Sequence, residues 1–172
     1  MVNRTRRYNR YMKKNKTKKN HTLKIKGGGN KPEKIKKIIR IFQQYPDIFP
    51  RGYFRFLPAT LQKHMDDKTI QYKNGVVLTW TVYKKTVKKS PKCAFMPGDI
   101  KINQLVNKTQ GNGKAKTMFL NFINKHKKKT LWLEVRRDNK RAIRFYKKNG
   151  FKKVCETKFG DIKGIMMRRK KE

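Results

Sequence analysis

Leu133 to Val154 reads LEVRRDNKRAIRFYKKNGFKKV, and the spacing of its apolar residues changes twice along the run. In LWLEVRR, which begins two residues earlier, Leu131, Leu133 and Val135 alternate with Trp132, Glu134 and Arg136, predicting a strand with one apolar and one mixed face. NKRAIRFYKKNG then predicts a helix closed by Gly150 at its C-terminal end, and FKKVCETK returns to strand. A lone carboxylate, Glu134, stands mid-strand among apolar neighbours and needs either a partner or a task.

Working outward, IKGIMMRR adds a last strand, while upstream Met118, Phe119, Phe122 and Ile123 mark one face of a helix. Before that helix lie DIKINQLV, a strand from Asp99 to Val106, and a lysine-rich loop carrying Pro91 and Pro97. TIQYK and VVLTWTVYKK predict a hairpin, with strands over about 69–73 and 76–85 around an Asn74-Gly75 turn. Pro32 and Glu33 open a helix with Ile35, Ile38, Ile39 and Phe42 at helical spacing, and a second helix runs from Pro58 through His64 to Asp66. His64 reads as an exposed helix residue, the pair Asp66-Asp67 as a helix end and Asp99 as part of a turn. The order is two helices, three strands, helix, strand, helix and two strands: a mixed α/β domain around one sheet.

The 172 residues include 49 Lys+Arg and 10 Asp+Glu, for a net charge of +39. Such a field attracts nucleic acid, phosphates or acidic surfaces, although a solvated, lysine-rich surface has the same composition. Residues 1–30 contain no acidic residue and little periodicity, ending in Gly27, Gly28 and Gly29, which predicts a disordered basic arm with a glycine hinge. Tyr8 and Tyr11 could stack on bases, and the composition of the arm resembles that of tails on proteins of large DNA viruses. Residues 31–172 are then the folded domain. Cys93 and Cys155 stand far apart and form neither a metal motif nor a disulfide framework, so they read as packing residues in a reducing, intracellular setting. No apolar run approaches the roughly 20 residues of a membrane span, and no secretory signal opens the chain.

QGNGKAKT, Gln110 to Thr117, links the strand before it to the helix after it. As a P-loop it fails, because Lys108 stands where the first glycine belongs and Ala115 where Ser or Thr is needed. As a dinucleotide fingerprint it fails at Lys116, where the third glycine would be. A tight turn into a helix N-terminus remains, with Lys114 and Lys116 opposing the helix dipole unless an anion sits nearby. An ordinary strand-to-helix turn has the same residues.

Gln110, Gly113 and Ala115 resemble the Q/R-x-x-G-x-G/A signature of the GCN5-related N-acetyltransferases (GNAT). Asn139, Ala142, Phe145, Tyr146, Gly150 and Phe151 fall at the spacing of that family's second half. The resemblance is clearest over 99–167 and extends back to Pro32, leaving the arm outside. It implies an acyl-CoA N-acyltransferase fold, with a single mixed, mostly antiparallel sheet flanked by helices, and acetyl-CoA as co-substrate without a metal.

By that resemblance, amides of Gly111, Asn112, Gly113, Lys114 and Ala115, with Gln110, would cradle the pyrophosphate. Backbone near Leu105, Val106 and Asn107 would pair with pantetheine where two strands splay apart. Asn139 would contact pantetheine or cap its helix. Tyr146 would protonate the departing thiolate or simply pack beside Phe145. Glu134 and Tyr146 also keep the separation found in the ribosomal-protein N-terminal acetyltransferase branch, where the glutamate is the general base. A salt bridge from Glu134 to Arg136 or a lysine is the competing reading.

The sequence departs from the family pattern at Lys114, where an apolar residue is usual, and in an opening strand that is missing or reduced to Thr22–Lys26. The expected activity is direct acetyl transfer to a primary amine in a ternary complex. The acceptor would be a protein N-terminus, a small molecule or aminoacyl-tRNA, with the positive field disfavouring lysine-rich tails. The alternative is a basic nucleic-acid-binding or particle-associated protein on a catalytically weak acetyltransferase fold.

Overall fold

The structure is a computed structural model and describes residues 31–49 and 51–172. The basic arm and the segment Thr22–Lys26 lie outside the described residues. Three helices open the described chain: α1 (Lys31–Phe42), α2 (Arg51–Phe54) and α3 (Leu57–Asp66). Five strands follow: β1 (Ile70–Lys73), β2 (Val76–Val82), β3 (Val87–Ser90), β4 (Cys93–Phe95) and β5 (Ile100–Asn107). Then come α4 (Lys114–Lys125), β6 (Leu131–Arg136), α5 (Lys140–Lys148), β7 (Lys152–Phe159) and β8 (Ile162–Arg169).

Six strands form one sheet in the order β1-β2-β5-β6-β8-β7, antiparallel throughout except where β5 lies parallel to β6. The expected hairpin is present, with Asn74 and Gly75 both at positive φ as a tight two-residue turn requires. The parallel pairing is brief, confined to Ile100 with Leu131, Lys101 with Trp132 and Ile102 with Leu133. Beyond Ile102, β5 carries a bulge at Asn103 and continues against β2 alone. A helical crossover is the usual way to join parallel neighbours, and α4 supplies it here.

The alternation in β6 sorts the core. Leu131, Leu133 and Val135 face a cluster built with Phe119, Phe122 and Ile123 of α4, to which Phe145 and Tyr146 of α5 add their rings. Burying each of the α4 phenylalanines contributes about 1.5–3 kcal/mol. On the opposite face Ile38, Ile41 and Phe42 of α1 pack with Leu57 and Leu61 of α3 against Val77 and Val106. Of the residues expected on the inner side of α1, Ile35 and Ile39 are only partly buried, and Ile41 takes a core position in their place.

Two readings of the sequence are corrected. The lysine-rich loop contains the hairpin β3–β4, whose Phe95 stacks on Tyr83 and meets Trp132 edge-on. That hairpin brings Cys93 beside Cys155 of β7, and the two are joined in a disulfide with a Cα–Cα distance of 6.3 Å. The 62 positions separating them in the chain hid the contact, because it depends on a hairpin folding across the sheet. Both cysteines do pack against Phe95, Trp132 and Met166, but as a bonded pair they give no argument for a reducing compartment. No helix among the described residues is long and apolar enough to cross a membrane.

Candidate active site

The loop from Gln110 to Gly113 enters α4 through two residues at positive φ, Gly111 (+82°) and Gly113 (+72°). Nothing lies within 4 Å of where a Cβ would stand at either, so the glycines serve the turn and leave the space above it open. Asn112 Oδ1 accepts hydrogen bonds from Asn107 Nδ2 at 3.0 Å and from Lys114 N at 3.1 Å, fixing the loop to the end of β5. Gln110 Oε1 accepts from Arg141 Nη1 at 3.2 Å, tying the same loop to the first turn of α5.

The first turn of α4 contains Lys114 and Lys116 and no acidic residue. The positive dipole end and two lysines of this turn thus have no acidic residue in the turn to offset them, and of its amides that of Lys114 is already held by Asn112. A cleft of about 680 Å³ opens beside this turn, lined by Tyr72, Asn74, Asn112, Gly113, Lys114 and Met118 among others. The cleft lies on the β1–β2 side of the turn and reaches neither Gly111 nor Ala115, so the loop's donors, rather than the cleft, are what suit a diphosphate.

Above the loop, β5 and β6 part after Ile102 and Leu133. Leu105, Val106 and Asn107 therefore lie on an arm that β6 does not pair, and Glu134 lies just past the parting on the other arm. The connection between α1 and α2 bridges the two arms. Tyr45 donates its hydroxyl to Asn107 O, and Arg136 Nη1 donates to Asp47 O at 2.9 Å. Gln104, on the free part of β5, accepts from Thr79 Oγ1 and donates to Tyr53 Oη at 2.8 Å. Burial pushes the Tyr53 phenol up to about 12.

Glu134 is nearly enclosed, its side chain 11% exposed. Its Oε2 accepts from Lys101 Nζ at 2.8 Å and lies 3.6 Å from Lys89 Nζ. Burial alone would raise its pKa, but the hydrogen bond from Lys101, with the charges of Lys101 and Lys89, holds it below the usual glutamate value. Of the partners weighed for Glu134, Arg136 or a lysine, the lysine is found, while Arg136 pairs with Asp138 at 2.6 Å.

Tyr146 sits on the other face of the sheet, against the rings of Phe119, Phe145 and Phe151. That apolar setting pushes its phenol up to about 12, so it stays protonated through the neutral range. Asn139 caps α5, its Oδ1 accepting from Ala142 N at 3.0 Å. A cap here sets where the helix begins and hence where Tyr146 falls on it.

Residues 107–151 match the family model for the Acetyltransferase (GNAT) family. A structure of Naa20 from Chaetomium thermophilum in complex with a bisubstrate analogue is 17% identical, with a TM-score of 0.62, over 83% of this chain and 84% of that one. PH1933 from Pyrococcus horikoshii is 17% identical, with a TM-score of 0.59, over 87% of this chain and 97% of that one. A structure of histone acetyltransferase HPA2 and related acetyltransferase from Corynebacterium glutamicum is 13% identical, with a TM-score of 0.60, over 82% of this chain and 91% of that one. The fold is the GNAT fold. No curated protein matches the sequence.

On this GNAT fold several acids and a histidine have structural partners. Asp99 is buried and accepts from Trp132 Nε1 at 2.8 Å and from Met96 N at 2.9 Å, so it anchors the indole as well as closing a turn. Gln62 and Lys63 hold Asp66 and Asp67 at the end of α3. His64 is half-buried rather than exposed, its Nδ1 2.8 Å from Thr69 Oγ1, and burial lowers its pKa. Sequence reasoning weighed a lysine partner for Glu134 without naming Lys101 or Lys89, and missed Tyr45 and Asp47.

Proposed function

We propose that the protein is an acetyl-CoA-dependent N-acetyltransferase, with residues 31–172 as the catalytic domain, that transfers an acetyl group directly to a primary amine in a ternary complex. The reading is carried by one observation: β5 and β6 part above the QGNGKAKT loop, with a carboxylate on one face of β6 and a phenol on the other.

Acetyl-CoA supplies the activated acyl group as a thioester. The amides of Gly111, Asn112, Gly113 and Ala115 and the ammonium of Lys114 hold the pyrophosphate, replacing its water with fixed donors, while the Lys114 amide stays with Asn112 Oδ1. The stretch Leu105–Asn107, paired with β2 but not with β6, offers pantetheine the backbone groups on its β6 side other than Asn107 O, which Tyr45 occupies, and the Asn139 Nδ2 donors remain for it while Oδ1 caps α5.

Glu134 receives the proton that the amine must lose, directly or through a water that it orients. Its depressed pKa keeps it ionised and makes it a poor resting place for that proton, which passes on to solvent. Tyr146 holds the proton that neutralises the departing thiolate, and its apolar packing keeps it charged with that proton until it is needed. The loop, the parted strands and the two side chains together lower the barrier by positioning as much as by proton transfer.

Calorimetric titration of acetyl-CoA into protein stripped of nucleic acid tests the reading. The unaltered chain binds. Gly113→Glu, which strains a positive φ and sets a carboxylate where the pyrophosphate belongs, loses binding. Tyr146→Phe keeps binding and loses on the order of a hundredfold in kcat. No binding by the unaltered chain overturns the assignment.

A further inference from the structure

The two lysines on Glu134 depress its pKa, but the chemistry above gives them no part in holding the acceptor. Lys101 comes from β5, where it is the register partner of Trp132, and its side chain is 18% exposed. Lys89 comes from β3 at the point where the β3–β4 register shifts, between the Lys88–Ala94 and Ser90–Cys93 pairs, and its side chain is 42% exposed. A bulge re-aims a side chain, and this one carries Lys89 to 3.6 Å from the Glu134 carboxylate. The disulfide from Cys93 to Cys155 then fixes the hairpin that bears it.

Two ammonium groups thus share one carboxylate, leaving one positive charge in excess. Among the described residues neither lysine has a second acidic partner. An acceptor presenting only an ammonium meets like charge at this point. An acceptor that also carries an anionic group offers the excess charge a partner and loosens Lys89 from Glu134, leaving the carboxylate free for the amine.

Resting on the acetyltransferase reading, we propose that Lys89 and Lys101 form an acceptor subsite for a carboxylate, so that the preferred substrate is an amine with an acidic group close to it. Lys89, the more exposed and more distant of the two, makes the direct contact. Lys101, the closer and more enclosed, keeps Glu134 in place. A peptide with an acidic side chain beside its N-terminus and a small amino acid both have this chemistry.

The test measures kcat/KM with the full chain for three peptides that differ only at the second residue, Asp, Asn or Lys, and for free aspartate and glycine as small acceptors. The Asp peptide is expected to exceed the Asn peptide by on the order of tenfold, mainly through KM, with the Lys peptide last. Peptides and free amino acids distinguish the two sources of the carboxylate. Lys89→Gln is expected to bring the Asp-to-Asn ratio towards one, and Lys89→Glu to favour the Lys peptide over the Asp peptide. Because Lys89 lies at the surface, both variants keep the fold, as their urea unfolding curves would show. Equal turnover of the Asp and Asn peptides by the unaltered protein, or an Asp preference that survives Lys89→Glu, overturns the inference while leaving the acetyltransferase reading intact. Acetyl-CoA binding with no acetylation of any of the acceptors overturns both.

Discussion

Breaking the disulfide between Cys93 and Cys155 removes a link that closes a loop of 62 positions. In the chain-entropy description, a loop of that length confines the unfolded chain enough to stabilise the fold by about 4 kcal/mol. With a urea m-value of about 2 kcal/mol/M, that stabilisation corresponds to an unfolding midpoint about 2 M higher in the oxidised protein. The experiment compares urea unfolding of the oxidised chain, of the same chain in a thiol reductant, and of the double variant Cys93→Ala, Cys155→Ala. The reduced chain keeps both sulfur atoms, so its difference from the oxidised chain isolates the cross-link, whereas the double variant adds the lost packing of two side chains against Phe95 and Trp132. The m-value should also rise on reduction, because the freed chain unfolds to a more exposed state. Coincident curves for the oxidised and reduced chains, or two thiols open to alkylation in the unreduced protein after denaturation, would refute the reasoning.

Glu134→Gln should destabilise the protein at neutral pH and do so less as pH falls. The folded-state pKa of Glu134 lies below its unfolded value, so the stability from its ion pairs is present above the ordinary glutamate range and is lost as pH drops through the folded pKa. Midpoints of urea unfolding at pH 7, 5 and 3 for both chains check this, and a gap that widened towards pH 3 would contradict it. Asn139→Ala removes the acceptor for Ala142 N at the start of α5 and should cost about 1 kcal/mol, read from thermal or urea unfolding. Trp132→Phe leaves the Asp99 carboxylate buried without its indole donor and should cost about 1–3 kcal/mol beyond the loss of ring area, a cost that adding Asp99→Asn should change. Independent, additive effects of the last two would show that the hydrogen bond contributes little.

The half of the fold from β5 to α5 was legible because its signals are local. Alternation along LWLEVRR, the glycines of QGNGKAKT, the apolar face of α4 and the cap at Asn139 each lie within one element, and each matches the element found there. The β3–β4 hairpin was not legible: VKKS and CAF are short, lysines interrupt them, and their apolar residues acquire meaning only against Trp132 and Met166. The disulfide was hidden for the same reason. The partner of Glu134 was half legible. Alternation placed the carboxylate on the mixed face, and a basic partner was foreseen, but Arg136 turned instead to Asp138 while Lys101 arrived through the parallel register with β6. Register between strands separated by a helix is a property of the assembled sheet, and no window of sequence contains it.

The short parallel contact between β5 and β6 also bears on how the protein would withstand a protease. Each side of that seam has its own antiparallel ladder, β1-β2-β5 on one side and β6-β8-β7 on the other, and the chain crosses between them by the exposed stretch from Lys108 to Gly113 and then α4. A trypsin-like cut at Lys108 would sever that crossing without breaking a strand. The disulfide joins a residue before the cut to one after it, so the nicked protein would migrate as one species on a non-reducing gel and as two once reduced. The same cross-link that constrains the unfolded chain would make the cleavage invisible until a reductant was added.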